Sequence, residues 1–459
     1  MAVSATGAAR GKRARKRVPR SSHGDWTPAA DRPSAREILA EQDEARVPDL
    51  VPIRYGRMLA SPFSFFRGAA AIMASDLGRM ANSGLEAQLC GDAHLSNFGV
   101  FQAPDRRLVF DVDDFDETLR GPFEWDVKRL AASFAVAGRE RGCDERERRD
   151  STRAVLQSYR EAMRDFADMR DIDVWYARFD IETYLAKHRS SVSRKAVKAL
   201  ERELAKARHK DSLRALSRLC HKVDGRQRIV SDPPLVVPIE EMGVSEASIE
   251  PGLQELLVAY RDSLSGDRRT LAARYRYVHA AHKVVGVGSV GARAWIILLL
   301  GRDSDDPLFL QAKEANRSVL EPFAARSPFD HQGRRVVEGQ RMMQAASDIF
   351  LGWVRAEGID GKQRDLYVRQ LWDGKRSAEV ELMGAAELAR YGRLCGWTLA
   401  RAHARSGDRA AIAGYIGRST TFDESIGDFA EAYAEQNEHD YDFLRDEVEA
   451  GRLAVREGL

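Results

Sequence analysis

The chain has 459 residues, of which 44% are hydrophobic and 31% are charged. This length predicts two or three domains with enough apolar chain for sizeable cores. Lysine and arginine total 72 against 70 aspartates and glutamates, a formal net charge of +2. Such a balance excludes a global charge bias toward nucleic acid or acidic substrates.

The four cysteines are isolated in sequence and form no CxxC pair. This spacing predicts reduced thiols in a cytoplasmic protein and argues against a zinc site. No apolar run reaches the roughly 18 residues that a membrane-spanning helix needs, so we expect no membrane partner.

Residues 1–45 begin with a lysine- and arginine-rich segment at 10–20 and offer little to bury. This composition predicts a disordered basic tail without a secretory signal. A solvated arm is the simplest interpretation. The alternative is that this tail contacts nucleic acid or acidic lipid. We expect no such contact from the rest of the chain.

Residues 51–84 interleave aromatic residues with arginines, and 69–80 have the spacing of an amphipathic helix. Arg54, Arg57 and Arg67 carry planar guanidinium groups that bind phosphate or carboxylate in a forked geometry. Two interpretations stay open at this stage, phosphate contact and pairing with the acidic stretch that follows.

The acidic stretch at 89–126 contains an aspartate, Asp92, followed five residues later by Asn97. This is the Asp-x-x-x-x-Asn spacing of a phosphotransferase catalytic loop, in which Asp accepts a proton and Asn supplies an oxygen to magnesium. His94 lies between the two and is also a catalytic candidate. It is expected to brace the loop backbone, and proton transfer is the alternative.

A strand-like run at 108–110 ends in Asp111, with Asp113 and Asp114 close behind. Magnesium prefers hard oxygen ligands and often takes one or two carboxylates. Asn97 and Asp111 are therefore the predicted metal ligands, with Asp113 as a substitute or second carboxylate. Which of Asp111, Asp113 and Asp114 binds the metal stays open. The alternative is an acidic surface hairpin without a metal.

Asp126 begins a predicted helix, where its carboxylate suits the positive end of the helix dipole. The chain then reads as charged amphipathic helices to about residue 270, including segments 158–166 and 193–208. The proline-containing segment 231–238 is predicted to be a surface loop.

Gly286, Gly288 and Gly291 form a GxGxxG pattern. In a dinucleotide-binding fold a helix would follow, but residues 294–300 form an apolar, β-rich run. The glycines are therefore predicted to join two strands, as in the loop that covers nucleotide phosphates in kinases.

A third predicted strand at 307–314 places Lys313 on the face opposite Leu308 and Leu310. Lys313 is the candidate for binding the α- and β-phosphates of ATP. Such a lysine needs an orienting carboxylate, and Glu338 on the next predicted helix, 331–345, is preferred. The rival carboxylates are Glu314 and Glu321.

Further strands at 349–353 and 366–371 and a helix at 385–404 complete a pattern typical of the small lobe of a protein kinase. In kinases the glycine lobe precedes the catalytic loop, whereas here it follows Asp92. We therefore predict a circularly permuted α+β, kinase-like two-lobed fold with a helical insertion, in which the helix ending near His403 lies beside Cys90. An unrelated α+β domain is the alternative.

The predicted organisation has five parts. The basic tail is 1–45, and 46–136 carry the catalytic loop and metal ligands of the large lobe. Residues 137–272 are the helical region of that lobe, 273–380 the β-rich glycine-loop lobe, and 381–459 the helices that complete the large lobe.

The motifs GDAHLSNFG, FDVDDFDE and GPFEWDVKRLA resemble catalytic and metal-binding segments of aminoglycoside phosphotransferases and choline kinases. More closely, RYGRMLASPFSFFRG, FLQAKEA and YVRQL resemble an uncharacterised bacterial family, domain of unknown function 2252, over most of 48–440. The kinase resemblance implies that Asp92 is the base, Asn97 and Asp111 bind magnesium, and Lys313 contacts phosphate.

These motifs predict an ATP- and Mg²⁺-dependent phosphotransferase acting on a small hydroxylated or amino-bearing molecule. A second hypothesis is a haloacid-dehalogenase-like phosphatase with Asp111 as nucleophile and Asp113 as acid. A third is a nucleotide-binding scaffold without turnover, tethered to a partner by the basic tail.

Overall fold

The structure is a computed structural model that describes residues 2–183, 212–243, 246–358, 360–371 and 376–458. The helix predicted at 193–208 lies outside these residues. Helices and strands are both abundant, which confirms the expected α+β class.

The helices are α1 (Ala2–Arg17), α2 (Ala35–Asp43), α3 (Val51–Met58), α4 (Pro62–Gly68), α5 (Ala70–Gly78), α6 (Phe123–Glu140), α7 (Glu145–Asp168), α8 (Asp171–Tyr176), α9 (Ser212–Leu219), α10 (Glu246–Asp262), α11 (Gly266–Ala272), α12 (Gln332–Met343), α13 (Ala385–Ser406), α14 (Arg409–Ile416) and α15 (Thr421–Glu449). The strands are β1 (Glu86–Leu89), β2 (Phe98–Gln102), β3 (Leu108–Val112), β4 (Leu119–Pro122), β5 (Phe179–Asp180), β6 (Cys220–Val223), β7 (Arg226–Ile229), β8 (Val236–Pro238), β9 (Arg276–Lys283), β10 (Ala294–Leu300), β11 (Pro307–Glu314), β12 (Gly352–Glu357), β13 (Gln363–Gln370) and β14 (Arg376–Ser377).

Six antiparallel strands form one sheet in the order β12-β13-β11-β10-β9-β8. The glycine segment joins β9 to β10, as predicted, and β11 pairs with both β10 and β13. The predicted alternation along β11 is confirmed. Leu308 and Leu310 pack in the cluster that contains Tyr260 of α10, whereas Phe309 packs in the cluster that contains Ala215 of α9.

The region predicted as helices between 137 and 272 also contains strands. β6 and β7 form a hairpin, and β8 lies where a surface loop was predicted. Val236 and Val237 are β-branched residues that favour extended backbone, and they pair with Lys283 and His282 at the edge of the sheet. Pairing with β9 outweighs the turn tendency of the nearby prolines.

The rest of the chain packs around a second core. It is built from α6, α7, α13 and α15 together with the sheet β14-β2-β3-β5 and the pair β1-β4. The end of α13 lies beside β1, where the Gln88 backbone N–H donates to Ser406 Oγ at 3.0 Å. This agrees with the predicted proximity of the two segments, which are far apart in sequence.

The basic N-terminal segment is helical, which corrects the prediction of a disordered tail. Gly11 and Ala14 of α1 are buried against α14. Arg15 donates from Nε to the carbonyl of Tyr415 at 2.7 Å, and Arg20 donates to that of Ile416 at 2.6 Å. These carbonyls end α14 and lack helical partners, so the arginines that suggested disorder stabilise a helix end instead.

Replacing Gly11 by Ala is expected to destabilise the protein, because the added Cβ would overlap the carbonyl oxygen of Ala411. Overpacking of this kind costs about 1–3 kcal/mol, measurable by denaturant unfolding. The matched control is Gly427→Ala, since a Cβ there meets nothing within 4 Å. Equal stability of the two variants would contradict the packing of α1.

Within the described ranges, no helix combines the length and apolar character required to cross a membrane. Cys90, Cys143, Cys220 and Cys395 are all free thiols, two of them buried.

Candidate active site

The loop that carries Asp92 is held by Asp126 at the start of α6. The Asp126 carboxylate accepts hydrogen bonds from the backbone N–H groups of Cys90 at 2.8 Å and Gly91 at 3.0 Å. His403 of α13 contacts the same carboxylate at 3.2 Å. Gly91 has φ +85, and a Cβ there would overlap the Glu117 carbonyl, so the turn requires glycine. Asp126 thus anchors the loop, a role that its helix-dipole position did not predict.

Asp92 is oriented by Arg129, whose Nε donates to the Asp92 carboxylate at 2.9 Å. Burial raises the pKa of Asp92 to about 6, although the neighbouring Arg129 charge opposes the shift. Asn97 donates from Nδ2 to the Asp92 carbonyl at 2.9 Å, which directs its amide oxygen away from that carbonyl. A positioned carboxylate with a pKa near 6 can act as a general base at neutral pH.

His94 does not brace the backbone as predicted. Its Nδ1 is buried without a hydrogen-bond partner among the described residues, and its Nε2 lies 3.7 Å from Asp92 Oδ2. Burial lowers the pKa of His94 well below the usual value, and the charges of Arg67 and Arg129 act in the same direction. The ring is therefore neutral and lies beside the Asp92 carboxylate.

Asp111 is buried away from the cavity, contrary to its predicted role as a metal ligand. Its carboxylate pairs with Arg401 of α13 at 2.5 Å and accepts the backbone N–H of Ala345 at 2.9 Å. Asp113 is also buried and does not line the cavity. Strand β3 is buried along its whole length, so the Asp111 side chain does not reach the opening. Asp114, just beyond the strand, does line it.

Lys313 pairs with Asp116 rather than with the predicted Glu338. Its ammonium donates to Asp116 and, at 2.7 Å, to Ser289 Oγ, while Tyr367 donates to the other Asp116 oxygen at 2.7 Å. Burial acts to lower the pKa of Lys313, but the Asp116 charge outweighs it and the net pKa lies above the ordinary value.

Glu338 instead lies 3.6 Å from Arg341 on the same helix, α12. Arg335, a buried residue of the same helix, donates to the carbonyls of Thr118 at 2.6 Å and Asp116 at 2.8 Å. Helix α12 therefore supports the lysine indirectly, by holding the backbone of the segment that carries Asp116.

The glycine segment forms a turn that lies against α3 and α4. Arg57 donates to the Gly286 carbonyl at 2.6 Å, and a Cβ at Gly288 would stand 3.2 Å from the Arg67 carbonyl oxygen. Gly286 and Gly288 line the cavity, whereas Gly291 lies outside it against Arg46.

One cavity of about 790 Å³ collects the predicted groups from both parts of the chain. It is lined by Gly286, Gly288, Ser289, Lys313, Asp92, His94, Asn97, Asp114 and Asp116. Its size lies within the range of small-molecule and cofactor sites. The lining combines a backbone turn, a lysine, carboxylates and an amide, groups of the types that contact phosphates and metal ions in phosphotransferases.

Among the described residues, no group of three or more His, Cys, Asp or Glu side chains is arranged to hold a metal ion. Magnesium usually takes only one or two protein carboxylates and completes its octahedron with water and substrate phosphates. The Asn97 amide oxygen and the Asp114 carboxylate, both in the cavity wall, are donors of the type it prefers.

Several site residues were not predicted from sequence. Asp114-Phe115 matches the Asp-Phe pair of the kinase metal motif, a signal that could have favoured Asp114 over Asp111. Nothing local marks Asp116 as the partner of Lys313 or Arg129 as the partner of Asp92, because both contacts join segments that are distant in sequence.

The family comparison covers most of the chain. A bacterial family, described as an uncharacterized protein conserved in bacteria (DUF2252), matches residues 46–447. No curated protein matches the chain, and no solved structure does. The match spans the glycine turn, Lys313 and the Asp92 loop alike, so the chain belongs to the DUF2252 family.

Proposed function

We propose that the protein is an ATP- and Mg²⁺-dependent phosphotransferase acting on a small hydroxylated or amino-bearing molecule. The observation that carries this proposal is the shared cavity. The Gly286 turn and Lys313 line the same space as Asp92, Asn97 and Asp114. Each is the residue type that phosphoryl transfer requires at its position.

The order of elements supports a kinase-like small lobe. The chain runs from β9 through the glycine turn to β10 and then to β11, which carries Lys313. Helix α12 and strands β12 and β13 follow, and all five of these strands belong to the six-stranded sheet. Because α13 ends beside β1, a circular permutation of a two-lobed kinase-like fold accounts for the reversed order of glycine turn and catalytic loop.

In the proposed reaction, Asp92 accepts the proton of the acceptor hydroxyl as its oxygen attacks the γ-phosphorus of ATP. The new oxygen–phosphorus bond forms as the bond to the ADP oxygen breaks. Lys313 contacts the α- and β-phosphates, and the turn at Gly286 and Gly288 covers them. Mg²⁺, held by Asn97 and Asp114, would neutralise phosphate charge.

The phosphatase hypothesis loses its basis, because a nucleophile must be accessible. Asp111 is 1% exposed and paired with Arg401. A nucleotide-binding scaffold uses the same cavity and differs only in lacking turnover, so a transfer assay separates it from an enzyme.

Replacing Lys313 by Ala is expected to weaken Mg-ATP binding about 10- to 100-fold, since a charge-assisted hydrogen bond contributes about 1.5–3 kcal/mol. The measurement is calorimetric titration of ATP with magnesium into the intact protein. Glu338→Gln is the matched control, because Glu338 is not among the residues that line the cavity and pairs with Arg341.

Transfer is then assayed with labelled ATP against pools of hydroxylated and amino-bearing metabolites. A phosphorylated product with the wild type supports an enzyme. ATP binding without any product would favour the scaffold, and unchanged ATP affinity in the Lys313 variant would refute the proposed nucleotide site.

A further inference from the structure

We propose that Arg67 binds the phosphoryl group while it is transferred, as an arginine supplied from within the same chain. This inference rests on the proposed phosphotransferase and adds to it a residue for the transferred group. Arg67 lies on α4, outside the catalytic loop, the glycine turn and the strand that carries Lys313.

Arg67 differs from its neighbouring arginines in its partners. Arg54 is buried and donates to Asp43 at 2.6 Å, and Arg57 donates to the Gly286 carbonyl at 2.6 Å. In the part of the chain that the structure describes, Arg67 has no side-chain hydrogen bond or ion pair, and its Nε is buried. The side chain as a whole is half-buried and lines the cavity, so its guanidinium has donors that can bind an anion there.

The backbone around Arg67 is held rigidly. Ser61 caps α4 by accepting the Ser64 N–H at 3.1 Å, and Glu140 accepts the Phe63 N–H at 2.9 Å. Arg129 donates to the carbonyl of Phe66, the preceding residue, at 2.6 Å. The same guanidinium orients the Asp92 carboxylate, so Arg67 and the proposed base are positioned by one shared side chain.

Arg67 lines the cavity in which the proposed transfer would take place. Arg67, Asp92 and Asp114 line the same cavity, and the Gly288 backbone of the phosphate-covering turn packs on the Arg67 carbonyl. Burial lowers the pKa of Arg67, an effect that the charges of Glu381, Asp92 and Asp114 oppose. The cation is therefore close enough to both functional carboxylates to interact with them.

A planar guanidinium matches two equatorial oxygens of a phosphoryl group in a forked geometry, which an ammonium cannot do. An arginine in this role stabilises charge that develops in transfer and typically accelerates it by about 10³- to 10⁵-fold. In the proposed reaction Lys313 would contact the α- and β-phosphates, and Arg67 would supply a further cation for the transferred phosphoryl group.

The test compares Arg67→Gln and Arg67→Lys with the control Arg79→Gln. Arg79 also lines the cavity, but its guanidinium already pairs with Asp31 at 2.6 Å. We expect kcat to fall about 10³-fold in both Arg67 variants, with Mg-ATP affinity little changed. Added guanidinium chloride should restore part of the activity of Arg67→Ala and none of that of Asp92→Asn. Normal kcat in Arg67→Gln would overturn the inference.

A second measurement uses inorganic pyrophosphate as the probe and does not depend on turnover. Calorimetry should detect pyrophosphate binding that is weaker in Arg67→Gln and unchanged in Arg79→Gln. Pyrophosphate lacks a nucleoside and therefore depends more than Mg-ATP on each phosphate contact. If the wild type neither binds nor turns over ATP, the phosphotransferase proposal fails, while Arg67-dependent pyrophosphate binding would still support the anion site. Pyrophosphate binding unaffected by Arg67→Gln would overturn it.

Discussion

Asp92→Asn is expected to lower kcat of phosphoryl transfer about 10²- to 10⁴-fold, the usual contribution of a general base. Asparagine keeps an oxygen that can accept from Arg129 Nε, so the loop should stay in place and Mg-ATP should bind with unchanged affinity. The measurement is kcat in a labelled-ATP transfer assay, with the ATP dissociation constant from calorimetry. Wild-type kcat in this variant would remove Asp92 from the mechanism.

The pH profile of the wild type tests the same residue. Burial raises the pKa of Asp92 to about 6, and only the ionised carboxylate can accept a proton. The kcat/KM should therefore rise as pH increases through about 6 and level off above it. The Asp92→Asn variant should lose this limb. A rise centred near the ordinary pKa of aspartate, about 4, would mean that Asp92 is not the titrating base.

Asp111→Asn is expected to reduce the free energy of unfolding by about 3–5 kcal/mol, because it leaves the Arg401 charge buried without its partner. Both side chains are nearly inaccessible, at 2% and 1% exposure for Asp111 and Arg401. The measurement is denaturant unfolding. Asp150→Asn provides the control, since Asp150 is 54% exposed and its ion pairs should contribute less than about 1 kcal/mol.

The double variant Asp111→Asn with Arg401→Gln should recover part of the lost stability, because the unpaired charge is then absent. The single variant Asp111→Asn also distinguishes the predicted role of Asp111 as a metal ligand from its observed role as the ion-pair partner of Arg401. If Asp111→Asn unfolded like the wild type but abolished Mg-ATP binding, Asp111 would be a metal ligand and the assignment to Asp114 would be wrong.

The strands around the glycine turn could be predicted from sequence because their pattern is local. Alternating apolar residues fixed β11 and the face of Lys313, and the β-rich run after Gly291 identified β10. The start of α6 and both ends of α12 and α13 were predicted within a few residues for the same reason. The glycines and Lys313 therefore lie on the elements expected for them.

The choice among neighbouring acids could not be made locally. Asp111, Asp113, Asp114 and Asp116 lie within six residues, and their exposure is decided by α13 and β11, which approach from the distant C-terminal half. Asp111 forms a buried ion pair with Arg401, whereas Asp114, on the same segment, lines the cavity. The prediction of a disordered tail was wrong because Arg15 of α1 donates a hydrogen bond to a carbonyl of α14, about 400 residues away.

The most direct test of the shared cavity is a crystal structure of the protein with a non-hydrolysable ATP analogue and manganese in place of magnesium. We expect the triphosphate between the Gly286 turn and Lys313, with the anomalous manganese peak beside Asn97 and Asp114. Nucleotide bound outside this cavity, or a manganese peak at Asp111, would contradict the account.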